Sequence, residues 1–92
     1  MRVIVKYYNL VADHFGRKAE ELFLEDGATC YSLINMLSME NESFRRLVFT
    51  DEGAISHRVR IFRNGQMVVG LDVPLTDQDE IQIFPAVSGG CC

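Results

Sequence analysis

Gly89-Gly90-Cys91-Cys92 is the segment whose residue types lend themselves most directly to chemistry. Two successive glycines carry no side chains, so such a backbone passes through a narrow slot and comes close to a reactive group. A frayed glycine-rich end is the other reading of the same residues. Thiols are nucleophiles and metal ligands, but two adjacent ones are an incomplete ligand set and need a partner to hold metal or persulfide. Adjacent cysteines also rarely pair with each other, because the ring is strained. The third cysteine, Cys30, stands alone in an apolar segment, and no C-x-x-C spacing is present. Neither a disulfide framework nor a structural zinc site is expected. His14 and His57 are isolated and read as surface histidines. Asp77, Asp79 and Glu80 are close together, yet turn acids explain them better than a metal site. Arg58, Arg60 and Arg63 lie on one strand and face either an acidic partner or solvent.

These residues must be positioned by a small set of elements. Residues 2–8, Arg-Val-Ile-Val-Lys-Tyr-Tyr, are β-branched and aromatic and predict a strand. Gly16 and its polar neighbours mark a turn, and residues 20–25 predict a second strand closing a hairpin. Thr29 predicts a helix N-cap. Cys30, Leu33, Ile34 and Leu37 follow at i, i+3, i+4 and i+7, one buried helix face. The pattern stops at Asn41. Ser43 is a candidate cap for a further turn, with Phe44, Leu47 and Val48 inward. Residues 50–57 are polar loop. Residues 58–63 alternate as a strand, Asn64-Gly65 is a tight-turn signal, and Met67 to Val69 returns as its pair. A turn at Pro74 and Thr76–Asp79 leads to a last strand, Ile81 to Phe84, ended by Pro85.

One helix covers only one face of such a sheet. Strand parity places Val3, Val5, Ile81 and Ile83 under it. Ile4, Tyr8, Phe62, Phe84 and Val68 are then expected on the open face, rimmed by Lys6, Arg58 and Arg60. Several apolar residues on one exposed face suggest a docking patch, weighed against a solvated face that tolerates aromatics.

Composition narrows the function classes. With 92 residues the chain is one small domain, with little room for a deep catalytic cleft. The hydrophobic fraction of 48% excludes a disordered chain, and no run approaches the ~18 apolar residues of a membrane span. Residues 2–8 are not an apolar run behind a basic start, so a cytoplasmic location and no export signal are expected. A net charge of −4 argues against a nucleic-acid module. The expected organisation is a domain over residues 1–86 and a flexible tail over 87–92. Residues 86–90, if extended, reach roughly 17 Å.

Several segments together carry a resemblance. They are the paired aromatics Tyr7-Tyr8, Gly16 in the following loop, and the helix entry Gly27-Ala28-Thr29. The turn Leu75-Thr76-Asp77-Gln78-Asp79-Glu80-Ile81 and the ending Phe84-Pro85-Ala86-Val87-Ser88-Gly89-Gly90 complete the set. The chain resembles the MoaD/ThiS family of ubiquitin-like sulfur carriers, and more closely the MoaD branch, the small subunit of molybdopterin synthase. The resemblance implies an α+β, β-grasp fold: a mixed sheet with one main helix on one face, and with the first and last strands adjacent and parallel at its centre. It implies a carrier and not an enzyme. No cofactor is bound, and ATP is used by a partner, a ubiquitin-activator-like adenylyltransferase. The reactive carboxyl maps onto Gly90 and the unhindered approach onto Gly89. The partner-binding face maps onto Tyr8, Val68 and Phe84. The acceptor would be a molybdopterin synthase large subunit or another sulfur acceptor.

Cys91 and Cys92 depart from that pattern, because Gly90 has no free carboxylate while they are attached. Removal of both by a JAMM-type zinc metalloprotease is the first expectation. Thiols that act as they stand come second and lipidation last, since no C-a-a-X motif fits. A ubiquitin-like modifier conjugated through Gly90 is the alternative function.

Overall fold

The alternating residues Arg2–Tyr7 form β1, the second strand of a five-stranded sheet ordered β2 (Ala19–Phe23), β1, β5 (Glu80–Pro85), β3 (Val59–Arg63) and β4 (Gln66–Met67). The computed structural model describes residues 1–86, with Leu10 described in its backbone only. Gly89, Gly90, Cys91 and Cys92 lie outside the described residues. The elements run β1, α1 (Leu10–Phe15), β2 (Ala19–Phe23), α2 (Cys30–Glu40), α3 (Glu42–Val48), β3 (Val59–Arg63), β4 (Gln66–Met67) and β5 (Glu80–Pro85). Strands β1 and β5 pair in parallel, with Val5 opposite Ile81 and Tyr7 opposite Ile83; the other pairs are antiparallel. This is the mixed α+β sheet expected from the resemblance.

The core follows strand parity. Val3, Val5, Tyr7, Ile81 and Ile83 are buried on one face, against Cys30, Leu33, Ile34 and Leu37 of α2. Helix α2 starts where its cap is. Thr29 Oγ1 accepts from the Ser32 N–H at 3.2 Å, and the Ser32 side chain accepts from the Thr29 N–H at 3.4 Å.

Three local expectations are corrected. The β1–β2 connection is not a plain loop but holds α1, whose buried Val11 and half-buried Phe15 sit one turn apart. Phe15 stacks on Tyr7 with centroids 4.3 Å apart. Gly16 closes α1 in a left-handed conformation at φ 68°, a geometry glycine adopts without cost. The cap of α3 is Asn41, whose side chain accepts from the Phe44 N–H at 3.0 Å, and not Ser43. Pro85 does not end pairing: it lies opposite Val59, and the next N–H, of Ala86, donates to Arg58 at 2.8 Å. Among the described residues no helix is long and apolar enough to cross a membrane.

Candidate functional site

Parallel pairing of β1 with β5 sets Tyr7 opposite Ile83, so the next residues, Tyr8 and Phe84, are neighbours on the opposite, helix-free face. Their rings stack with centroids 4.2 Å apart and planes 8° apart. Phe62 of β3 meets Phe84 edge-on at 5.3 Å and 79°. The edge-on contact is one that ring quadrupoles favour. Arg60, Gly65 and Gln82 complete a shallow apolar depression around the three rings. Phe84 lies two residues before Ala86, so this corner stands where the chain heads toward Gly89-Gly90.

The charges at the corner are unequal. Lys6 Nζ lies 3.1 Å from Glu80, whose hydrogen bond and charge raise the Lys6 pKa while Lys6 lowers that of Glu80. That pair neutralises itself. Arg60 instead donates to the carbonyls of His57 and Val59, both at 3.1 Å, and forms no ion pair among the described residues. The corner is thus an aromatic surface with one uncompensated cation.

At the other end of β5, a clasp around the buried Asp79 ties the end of β3 to the start of β5. Asp79 Oδ2 accepts from Arg63 Nε at 2.8 Å and from the Thr76 N–H at 2.8 Å. Asp79 Oδ1 accepts from Asn64 Nδ2 at 2.9 Å and from the Thr76 hydroxyl at 3.0 Å. Burial alone pushes this carboxyl up, but the bonds from Thr76, Arg63 and Asn64 outweigh it and bring the pKa down to about 2. Asp77 accepts from the Arg2 N–H at 2.7 Å and Glu80 pairs with Lys6, so the three turn acids point to three different partners.

Two residues expected on the open face lie elsewhere. Asn64-Gly65, with φ of 52° and 86°, forms a two-residue turn that sets Arg63 opposite Gln66 and Phe62 opposite Met67. The next pair is Ile61 with Val68, whose N–H donates to the Ile61 carbonyl at 2.8 Å. Ile61 is core, so Val68 falls on the core side, packed in a groove with Ile55, Val59 and Leu71. Met67, 54% exposed, takes the position across from Phe62. Arg58 precedes β3, and its guanidinium turns to the Arg46 carbonyl of α3 at 2.6 Å, away from the corner. Of the sequence-selected face, Tyr8 and Phe84 come together and Val68 does not. Cys30 is buried in the core, which raises its thiol pKa.

The sequence model of the ThiS family matches residues 5–90. The chain is 28% identical to small archaeal modifier protein 3 of Haloferax volcanii, covering 98% of this chain and 100% of that one. Its structure is similar to a putative molybdopterin converting factor, subunit 1, from Pyrococcus furiosus, with TM-score 0.79, 31% identity, and 95% and 99% of the two chains covered. The fold is shared with SAMP1 of Haloferax volcanii at TM-score 0.87, with 24% identity over 98% of this chain and all of that one. With the family model matching residues 5–90 and the fold shared, the chain belongs to the ThiS family, ubiquitin-like carriers and modifiers that are not themselves enzymes.

Proposed function

We propose that the chain is a sulfur carrier whose Gly90 becomes a thiocarboxylate after Cys91 and Cys92 are removed. The observation that carries this reading is the Tyr8–Phe84–Phe62 corner standing just before a sequence that ends its family match at Gly90. A ubiquitin-activator-like adenylyltransferase docks on the corner and takes up the Gly89-Gly90 segment. The Gly90 carboxylate attacks the α-phosphate of ATP, and pyrophosphate leaves. A sulfur nucleophile then attacks the acyl carbon, the bond to the adenylate oxygen breaks and AMP departs. This order has a chemical reason: a carboxylate is a poor electrophile, and adenylation supplies a leaving group.

Cleavage precedes activation, because the Gly90 carbonyl is otherwise held in a planar amide. The two cysteines lie beyond the family match, which supports reading them as an extension removed by a JAMM-type metalloprotease. The likeness to a molybdopterin converting factor subunit supports a molybdopterin synthase large subunit as acceptor.

The name of the Haloferax relative favours a second reading, a modifier joined through Gly90 to lysines of other proteins. Mass spectrometry separates the two. The encoded chain and the chain truncated after Gly90 are incubated with the activating enzyme, ATP and a sulfur source. Only the truncated chain gains ~16 Da, the mass of replacing oxygen by sulfur. Equal conversion of the full-length chain with both cysteines retained overturns the processing step. Isopeptide-linked products without any thiocarboxylate establish the modifier reading instead.

A further inference from the structure

The free edge of the sheet at β2 has a hydrogen-bonding frame that identifies which backbone groups it presents. Met1 and Leu24 exchange two bonds, at 2.7 and 2.8 Å, and the Tyr7 N–H donates to the Lys18 carbonyl at 2.8 Å. In an antiparallel ladder such pairs recur at every second residue. Leu22 lies opposite Val3 and Glu20 opposite Val5, so Lys18, Glu20, Leu22 and Leu24 direct their backbone groups at β1. Ala19, Glu21 and Phe23 direct theirs outward, and among the described residues none of the three has a backbone hydrogen bond beyond the sheet. Phe23 is 74% exposed on this edge, an exposure that the single chain leaves unexplained. The ends of the edge differ in charge. Lys18 stands at one, Glu25 and Asp26 at the other, and none is in an ion pair among the described residues.

We propose that β2 pairs antiparallel with β2 of a second copy of this chain, about a two-fold axis at Glu21. In this register the outward residues meet as Ala19 with Phe23, Glu21 with Glu21, and Phe23 with Ala19. All are two-bond pairs, the most that a five-residue strand allows. Each exposed Phe23 ring lies across from the methyl of Ala19, a large residue over a small one. The Lys18 end of one strand meets the Glu25-Asp26 end of the other. A parallel pairing would set like ends together, so charge selects the antiparallel one. The Glu21 pair opposes it, but each Glu21 carboxylate is already held by its own Arg2. The closed pairing covers an edge that would otherwise template aggregation. It also leaves each aromatic corner free, because β5 and β3 lie on the far side of β1. The contact is small, so the dimer is weak and in rapid exchange.

The test uses the full chain under reducing conditions, so that thiols form no cross-links. Light scattering follows mass across a concentration series, and NMR follows amide hydrogen exchange. The expected mass rises from 10.4 kDa toward twice that value and no further. In step, the amides of Ala19, Glu21 and Phe23 slow, while those of Glu20 and Leu22 are slow throughout. Ala19→Pro removes an outward N–H that the sheet does not use. Phe23→Lys keeps the backbone and removes the ring. Each should raise the midpoint concentration at least tenfold. A chain that stays monomeric, a mass that climbs past the dimer, fast exchange at Ala19, Glu21 and Phe23 within the dimer, or an unchanged midpoint in both variants overturns the proposal.

Discussion

Tyr8 and Phe84 come from opposite ends of the described chain, yet their rings stack at 4.2 Å because β1 and β5 run side by side in the same direction. The pairing converts two sequence-distant aromatics into one surface. Its position also couples the domain to the chain that follows Phe84, since a partner seated on the rings is within a few residues of that chain.

Phe84→Asp tests the surface. Phe84 is half-buried and stacked but lies on the helix-free face, so in the free protein an aspartate there stays hydrated. Loss of the ring contacts costs about 1–2 kcal/mol of stability, and the circular dichroism spectrum should keep its folded shape. In a complex the carboxylate is desolvated without a partner, weakening binding to the activating enzyme about a hundredfold. A variant that is unfolded, or one that binds as wild type, refutes the assignment of this face.

The Asp79 clasp predicts an acid limb in the stability curve. Its folded pKa, about 2, lies below the ordinary 3.8. The stabilisation is therefore complete above pH ~4 and is lost as pH falls toward 2, amounting to about 2 kcal/mol. Asp79→Asn strands Arg63 and should cost about 3 kcal/mol near neutrality. Asp77 and Glu80 also titrate at low pH. The informative quantity is thus the difference between wild-type and Asp79→Asn denaturation curves, which should shrink between pH 4 and 2. A difference that is constant over this range removes the clasp from the acid limb.

Much of this was legible because period and parity carry far along a regular element. Val3, Val5, Ile81 and Ile83 alternate without interruption, and all four are buried as alternation requires. Thr29 was readable as a cap because an apolar helical period begins directly after it. Helix α1 was not readable in that way: six residues are too few for a period, and the signal it offered was Val11 and Phe15 at i, i+4 before Gly16. Arg58 escaped because parity ends where the strand begins. Gly89 and Gly90, the proposed chemical end of the chain, stand out by residue type, but residue type leaves a frayed end as the other reading and only the resemblance favours the first.

Thr29→Ala should destabilise the domain by about 1 kcal/mol, because the Ser32 N–H at the start of α2 loses its acceptor. Ser32→Ala keeps that bond, removes the reciprocal one at 3.4 Å and the 3.3 Å contact between the two hydroxyls, and should cost less. Urea denaturation with unchanged m-values measures both. Equal costs would mean that the two halves of the cap act as a unit.

Val68 and Met67 provide the sharpest test of register, since neighbours on one strand are predicted to behave oppositely. The Asn64-Gly65 turn puts Met67 across from Phe62 and Val68 across from the buried Ile61. Val68→Asp therefore places a charge against the core cluster and should cost about 2–3 kcal/mol. Met67→Asp changes a side chain that is 54% exposed and should shift stability by no more than about 0.5 kcal/mol. Binding to the activating enzyme should reverse the ranking once both variants are measured well below their melting temperatures. Met67→Asp brings a carboxylate toward the aromatic corner, where docking would desolvate it, whereas folded Val68→Asp leaves the rings of Tyr8, Phe62 and Phe84 as they were. Register is what separates the two: a slip of one residue at the turn would exchange their faces, and with them both the stability and the binding results.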